Sequence, residues 1–217
     1  MRLHGYWRSS AAWRVRIALN LKRLEWASAP VHLVRDGGEQ RMPAFRALNP
    51  QGLVPALEID GLVLTQSLAI IEYLDETRPT PPLLPAEPAG RARVRSLAQL
   101  VASDVHPLNN LRVLQYLQHT LDVDAPGRDA WYRHWVVDGL QALEARLARE
   151  PGTGRFCHGD APGLADCCLV PQLYNARRFH CELDAFPTLL RIEAACGELE
   201  AFRAAAPDRQ PDAMPGA

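Results

Sequence analysis

The sequence predicts two parts of different class: an α/β domain over residues 1–78 and an all-α domain over 89–217, with a linker over 79–88. Three observations carry this reading. Strand and helix patterns alternate up to about residue 77. Five prolines then fall in ten residues (Pro79, Pro81, Pro82, Pro85, Pro88), removing backbone donors and fixing φ too often for a helix or a central strand. Beyond them apolar residues recur at steps of three and four.

Taken in order, residues 2–7 read as a strand, 10–23 as a helix and 27–32 as a second strand. An irregular segment with a short helix follows. Residues 55–58 and 61–64 form a hairpin turning at Asp60-Gly61, and a helix runs from about 66 to 77. In the second part Val94, Leu97, Val101, Val105 and Leu108 mark one helix's apolar face, and Trp131, Trp135, Leu140, Leu143 and Leu147 another's. A further helix runs from near Leu164 toward Arg178, with Gly163 at its cap position and Asp166 three residues on. Gly163 has no cap hydroxyl, so the Asp166 carboxylate is left to meet the free N–H groups. Residues 207–217, rich in Pro, Asp and Ala, read as a loose tail.

The 217 residues are 47% hydrophobic, enough for one substantial core or two modest ones. A net charge of −1 makes no bulk electrostatic case for nucleic acid or an anionic membrane. Five cysteines, odd in number and without a C-x-x-C pair, fit a reducing compartment, and the expectation is a cytoplasmic protein. No leader pattern opens the chain, and no apolar run approaches the roughly 20 residues a bilayer span needs. The seven histidines show no metal-ligand spacing, so no metal is expected, and Gly152-Thr153-Gly154 reads as a loop rather than a dinucleotide fingerprint.

Chemistry concentrates at Arg8-Ser9-Ser10, where the first strand turns into a helix. Unpaired N–H groups and the positive end of the helix dipole meet there, and the two hydroxyls add donors that favour a bound thiolate. A thiol of pKa about 8.5 is mostly protonated at pH 7, so such donors raise the nucleophile's concentration directly. Helix capping is the commoner use of serine at such a place. His106-Pro107-Leu108-Asn109-Asn110-Leu111-Arg112 interrupts the apolar rhythm of the second part, with His106 and Asn110 placed on one helix face at i, i+4. The plain alternative is that Pro107 bends the helix and Asn109 or Asn110 satisfies the carbonyls it frees.

Ser9-Ser10-x-x-Trp13-Arg14-Val15-Arg16-Ile17-Ala18-Leu19, Ala47-Leu48-Asn49-Pro50, Val54-Pro55, the run Gln66 to Leu74 and Arg209-Gln210-Pro211-Asp212 occur in this order. Together they resemble the zeta class of glutathione transferases, and within it the maleylpyruvate and maleylacetoacetate isomerases, over about residues 1–210. The resemblance implies a thioredoxin-like first domain, an all-helical substrate domain, glutathione as cofactor and a homodimer. It implies that Ser9, with Ser10, bonds the glutathione sulfur, and that Val54 pairs with the cysteinyl unit through a cis Val54-Pro55 bond. Gln66 and Ser67 would receive the γ-glutamyl carboxylate, with Gln40 and Gln51 as further contacts. His106, Asn110, Leu111 and Arg112 would lie over the tripeptide and substrate. Arg8, Arg112 and one of Arg177 or Arg178, the match favouring Arg178, would hold a small dicarboxylate, because the planar guanidinium grips carboxylates at two points.

Maleylacetoacetate isomerases commonly have Gln and Ser at the positions of His106 and Arg112, so this pair resembles the maleylpyruvate enzymes. The expected activity is glutathione-dependent cis-trans isomerisation of maleyl dicarboxylates in aromatic-compound catabolism. One departure stands out: the family commonly has Cys and Ser where this chain has Ala11 and Ala12. It keeps two alternatives in play, a broad transferase that conjugates halogenated or aromatic electrophiles and a non-enzymatic glutathione-binding protein.

Overall fold

A computed structural model describes residues 1–214. They divide into two compact units, Met1–Leu83 with the segment from Gly197 on, and Leu84–Cys196.

The first unit contains β1 (Arg2–Gly5), α1 (Ser10–Leu21), β2 (Ala27–Pro30), α2 (Pro43–Leu48), β3 (Ala56–Ile59), β4 (Leu62–Thr65) and α3 (Ser67–Thr77). The sheet order is β2-β1-β3-β4, with β1 parallel to β2 and antiparallel to β3. Parallel neighbours need a crossover, and α1 supplies it. The β3–β4 hairpin turns at Asp60-Gly61, whose φ values of 52° and 77° are both positive, as a two-residue turn matched to strand twist requires. The first two strands stop two residues short of expectation: Gly5 and Pro30 form the last pair, the Val31 N–H makes the last bond to the Gly5 carbonyl at 2.7 Å, and Pro30 is tolerated because β2 is an edge strand.

Every residue of α1 from Ala12 to Leu19 is buried, including Arg14 and Arg16. A helix enclosed on all sides must be covered on all sides, and the far end of the chain completes the cover. The helical domain expected over 89–217 therefore gives up its last stretch. Phe202 and Ala205 are buried, Asn20 Nδ2 donates to the Ala201 carbonyl at 3.1 Å, and Arg16 Nε donates to the Ala205 carbonyl at 3.0 Å. Nor are residues 207–214 a loose tail. Pro207–Arg209 form a 3₁₀ turn, and the buried Gln210 donates from Nε2 to the carbonyls of Ala204 (3.0 Å) and Ala206 (2.9 Å). Apolar burial and these bonds hold what composition alone reads as loose; residues 215–217 lie outside the described residues.

The linker leaves this unit along a fixed path. Lys22, at the C-terminal cap of α1, donates from Nζ to Asp75 Oδ1 and to the carbonyls of Arg78 and Pro81, each at 2.8 Å. Asp75 Oδ1 also accepts from the Leu83 N–H at 2.7 Å.

The second unit contains α4 (Pro88–Gln99), a π-helical turn (Leu100–Val105), α5 (His106–Leu108), α6 (Leu111–His119), α7 (Ala125–Arg149), α8 (Leu164–Arg178) and α9 (Pro187–Gly197), whose last residue is assigned to the first unit; α10 (Glu200–Ala205) belongs wholly to that first unit. In α7 the core positions are Tyr132, Val136, Leu140, Leu143 and Leu147. Trp131 and Trp135, expected there, are half-buried at its edge, where Trp131 Nε1 finds the Leu108 carbonyl at 2.8 Å. A tryptophan with a polar partner near the surface need not bury its ring fully.

The interruption at Pro107 is larger than a bend. The helix widens into the π turn, resumes for three residues and stops at Asn109. Gly139 of α7 packs here so closely that a Cβ on it would lie 2.1 Å from Val105 Cγ2. Gly139→Ala should cost about 1–3 kcal/mol by overpacking, measurable as a lowered denaturation midpoint with an unchanged m-value.

At α8 the expected cap forms without a hydroxyl. Asp166 accepts from the Gly163 N–H at 2.8 Å and the Cys157 N–H at 2.9 Å. Burial lifts its carboxyl above the ordinary carboxylate range while the two backbone donors oppose the shift. The sign follows: this group's contribution to stability falls as pH rises from the unfolded carboxyl range through the folded pKa. Asp166→Ala orphans two N–H groups and should cost about 2–4 kcal/mol, read by calorimetry at neutral pH. All five cysteines are buried, and burial raises the thiol pKa of Cys157, Cys167, Cys181 and Cys196, as expected of apolar fillers.

Candidate active site

In the first unit the site is built on two helix N-termini. The chain leaves β1 at Gly5, turns through Tyr6-Trp7-Arg8 and enters α1 with Ser9 as the N-cap (φ −69°, ψ 117°). Ser9 N–H donates to the Tyr6 carbonyl at 2.9 Å, and Ser9 Oγ accepts from the Ala12 N–H at 3.3 Å. Capping and thiolate binding are compatible here. A cap uses a lone pair of the hydroxyl oxygen, whereas a thiolate takes its hydrogen. Ser10 is buried within the first turn and Ser9 only partly, so Ser9 is the serine more open to a ligand.

Ala12, one of the two departures from the family pattern, is fully buried, and its Cβ would meet a Cβ on Gly5 at 3.0 Å. Its position faces the strand in the core. A hydroxyl there would be enclosed by the sheet, so its absence removes nothing from the mouth of the helix.

The second N-terminus is that of α3. Its cap, Gln66, has φ 67° and ψ 114°, a left-handed backbone that a non-glycine residue adopts at a cost of about 1–3 kcal/mol and that clusters at ligand sites. Gln66 Nε2 donates to Gln51 Oε1 at 2.9 Å, so these two expected contacts are joined. Ser67 is buried, and its Oγ accepts from Arg14 Nη1 at 3.3 Å. Sequence reasoning missed Arg14. A guanidinium 2% exposed, bonded to the first residue of α3, adds a full positive charge to the helix dipole there. The available signal was two arginines inside a helix that otherwise reads Ala-Ala-Trp-Val-Ile-Ala-Leu.

Val54-Pro55 is a cis peptide immediately before β3. Gln40 is no solvated surface group: it is buried, its Nε2 donates to the Leu33 carbonyl at 3.2 Å, and its Oε1 has no partner among the described residues. Arg8 sits with its guanidinium 4.9 Å from the Trp7 ring centroid, an orientation that leaves a planar cation beside the Ser9 loop.

In the second unit, His106 and Asn110 do not share a helix face. The helix ends between them, and Asn110, with extended backbone, caps α6 by accepting from the Arg112 N–H at 3.1 Å. Asn109 meets the polar demand of the break, donating from Nδ2 to the Val105 carbonyl at 3.1 Å. Leu111 opens α6 half-buried, and Arg112 stands exposed in its first turn. At the end of α8, Arg177 forms a two-point contact with Glu193, while the exposed Arg178 lies 5.6 Å over the Phe179 ring. Arg177 thus ties α8 to α9.

The family model described as glutathione S-transferase, N-terminal domain, matches residues 8–77, and its C-terminal counterpart matches residues 136–208. A bacterial zeta-class glutathione transferase, a maleyl pyruvate isomerase solved in its holo form, superposes with a TM-score of 0.95 at 51% identity, covering 99% of this chain and 100% of that one. This chain belongs to the zeta class of glutathione transferases. It is also 54% identical over 212 residues to a probable maleylacetoacetate isomerase of Vibrio cholerae, covering 97% of each chain. The maleylacetoacetate isomerase of Methylobacterium extorquens AM1, solved with malonate and glutathione bound, is similar at 47% identity and a TM-score of 0.94, over 99% of this chain and all of that one. The zeta-class fold accounts for the thioredoxin-like sheet and the helical region after it. Among the described residues no helix is long and apolar enough to cross a membrane.

Proposed function

We propose that this zeta-class chain is a glutathione-dependent cis-trans isomerase of maleyl dicarboxylates, with maleylpyruvate the preferred substrate and maleylacetoacetate the second. The observation that carries the reading is Ser9, which caps α1 through a lone pair and so keeps a hydroxyl hydrogen for a thiolate at the positive end of the helix. The donor set fits glutathione. Two helix N-termini, one reinforced by the buried Arg14, suit a thiolate and a carboxylate, and Gln40 Oε1 offers a buried acceptor for an N–H of the ligand.

When bound, glutathione supplies a soft nucleophile that adds to and leaves the cis double bond, so the reaction consumes none. Ser9 holds the sulfur as thiolate by donating its Oγ–H. Val54, beside the cis Val54-Pro55 bond, pairs its backbone with the cysteinyl unit, and Gln66 and Ser67 receive the γ-glutamyl carboxylate at the α3 N-terminus. Ser10 supports the first turn beneath the sulfur, and Gln51 orients Gln66. Arg8, Arg112 and Arg178 grip the substrate carboxylates and stabilise the negative charge that develops on its carbonyl oxygen. His106, Asn110 and Leu111 line the same region of the second unit.

The domain boundaries proposed for these roles are 1–78 and 89–217 around the linker, with the last helix and tail lent back to the first domain as described above. We further propose a homodimer acting in the cytoplasm, in the catabolism of aromatic compounds.

The test mixes purified protein with maleylpyruvate, with and without catalytic glutathione, and follows conversion to the fumaryl isomer, with maleylacetoacetate in parallel. Fast, glutathione-dependent turnover with no net glutathione consumption is expected. Consumption of one equivalent would make the chain a conjugating transferase, and tight glutathione binding without turnover would make it a binding protein. Arg112→Ala should lower kcat/KM for maleylpyruvate about tenfold or more, the value of one charge-assisted contact. An unchanged kcat/KM would remove Arg112 from the clamp.

A further inference from the structure

The Ser9 loop is held from both sides by groups that belong to neither β1 nor the loop. On one side, Arg16 Nη2 donates to the Trp7 carbonyl at 2.8 Å and Nη1 to the Tyr6 carbonyl at 3.4 Å, while its Nε reaches Ala205 at 3.0 Å. On the other, the Trp7 N–H donates to Asp212 Oδ2 at 2.9 Å. Tyr6 accepts from Ser9 N–H as well, so the peptides on either side of Trp7 are clamped immediately before the cap residue. The carboxylate comes from 205 residues further along the chain. The turn that carries it is itself anchored, by Gln210 on the end of α10 and by Ala213 N–H on the Gln210 carbonyl at 3.0 Å.

The electrostatics support the pairing. Arg16 is buried, and burial lowers its pKa from the usual 12.5 to about 10, while the nearby Asp212 charge acts in the opposite direction. A buried guanidinium and a carboxylate thus sit on opposite ends of the Tyr6–Trp7 peptide, the cation on the Tyr6 carbonyl and the anion accepting from the Trp7 N–H. Each polarises that peptide in the sense that strengthens the other's bond.

We infer that Asp212 is a positioning residue for the thiolate site: with Arg16 it straps the Tyr6-Trp7-Arg8 turn so that the Ser9 hydroxyl is held at the place where it meets the glutathione sulfur. The inference rests on the proposed role of Ser9. Without the strap, the N–H of Trp7, a residue 3% exposed, loses its acceptor and the turn is free to shift. Displacements of about 1 Å at a site of this kind lower rates up to about a hundredfold.

The experiment compares wild type, Asp212→Ala, Asp212→Asn and Ser9→Ala by two readouts. The first is hydrogen exchange of the Trp7 and Ala12 amides in the protein without glutathione. The second is the titration of bound glutathione, followed by the ultraviolet absorbance of its thiolate. Asp212→Ala should speed Trp7 exchange about tenfold, the value of one charge-assisted bond, and move the thiol titration to higher pH in the direction of Ser9→Ala. Asp212→Asn keeps an oxygen acceptor for Trp7 and should restore most of both. A thiol titration in Asp212→Ala that coincides with wild type, or an Asp212→Asn as impaired as the alanine variant, would overturn the strap. Should Ser9→Ala leave the titration in place, the Ser9 reading fails on its own account. The strap is then decided by exchange at Trp7 and Ala12, where wild-type rates in Asp212→Ala would end it.

Discussion

Ser9→Ala lowers turnover at pH 7 by about 10- to 150-fold, corresponding to the roughly 1.5–3 kcal/mol of a hydrogen bond to a charged group. Glutathione affinity should fall much less, because in the proposed site the α3 N-terminus, with Arg14 bonded to Ser67, and the Val54 backbone hold the remainder of the tripeptide. The deficit should shrink as pH approaches the free thiol's pKa of about 8.5, since the alanine variant lacks only the means of ionising the thiol below it. A pH series of kcat and of the glutathione KM separates these effects. Because Ser9 also caps α1, the variant should lose about 0.5–2 kcal/mol of stability. Ser9→Thr, which keeps both hydroxyl and cap, serves as the control. Turnover equal to wild type at neutral pH would take Ser9 out of the mechanism.

Lys22→Met carries the largest expected effect on stability, about 3–5 kcal/mol. Lys22 makes three contacts where the chain enters the linker: its ammonium, with side chain 0% exposed, serves Asp75 and the carbonyls of Arg78 and Pro81, and Asp75 in turn accepts from the Leu83 N–H. Removing the cation leaves a buried carboxylate with one N–H donor and two carbonyls without theirs. Unfolding in denaturant measures the loss. Adding Asp75→Leu should recover only part of it, because the Leu83 N–H and the two carbonyls stay orphaned. Full recovery would mean that the pair's charges, rather than their hold on the linker, decide stability here.

Much of the fold was legible because its signals are local. Alternation marks the strands, the Asp60-Gly61 pair its hairpin, the prolines the linker, and steps of three and four the helices. The cap at Gly163 was legible for the same reason, since Asp166 sits three residues from the N–H it meets. The break near Pro107 was visible, but its form was not. A π turn followed by a new helix depends on the close approach of Gly139 to Val105, 34 positions apart in sequence, so the shared face for His106 and Asn110 dissolved.

The sequence by itself determined which residue types stand where a strand becomes a helix: Ser9 before α1, and Gln66 before α3 with Ser67 opening it, with the ordered motifs that place the chain in the zeta class. Only the tertiary structure decided what supports them. Arg14 bonded to Ser67, Arg16 and Asp212 on the two backbone groups of Trp7, and the return of α10 to cover α1 all join residues that are between 9 and 205 positions apart. The physical reason is that periodicity and capping act within a turn or two of the chain. The pairing of a buried charge, by contrast, depends on which distant group the packing delivers to it.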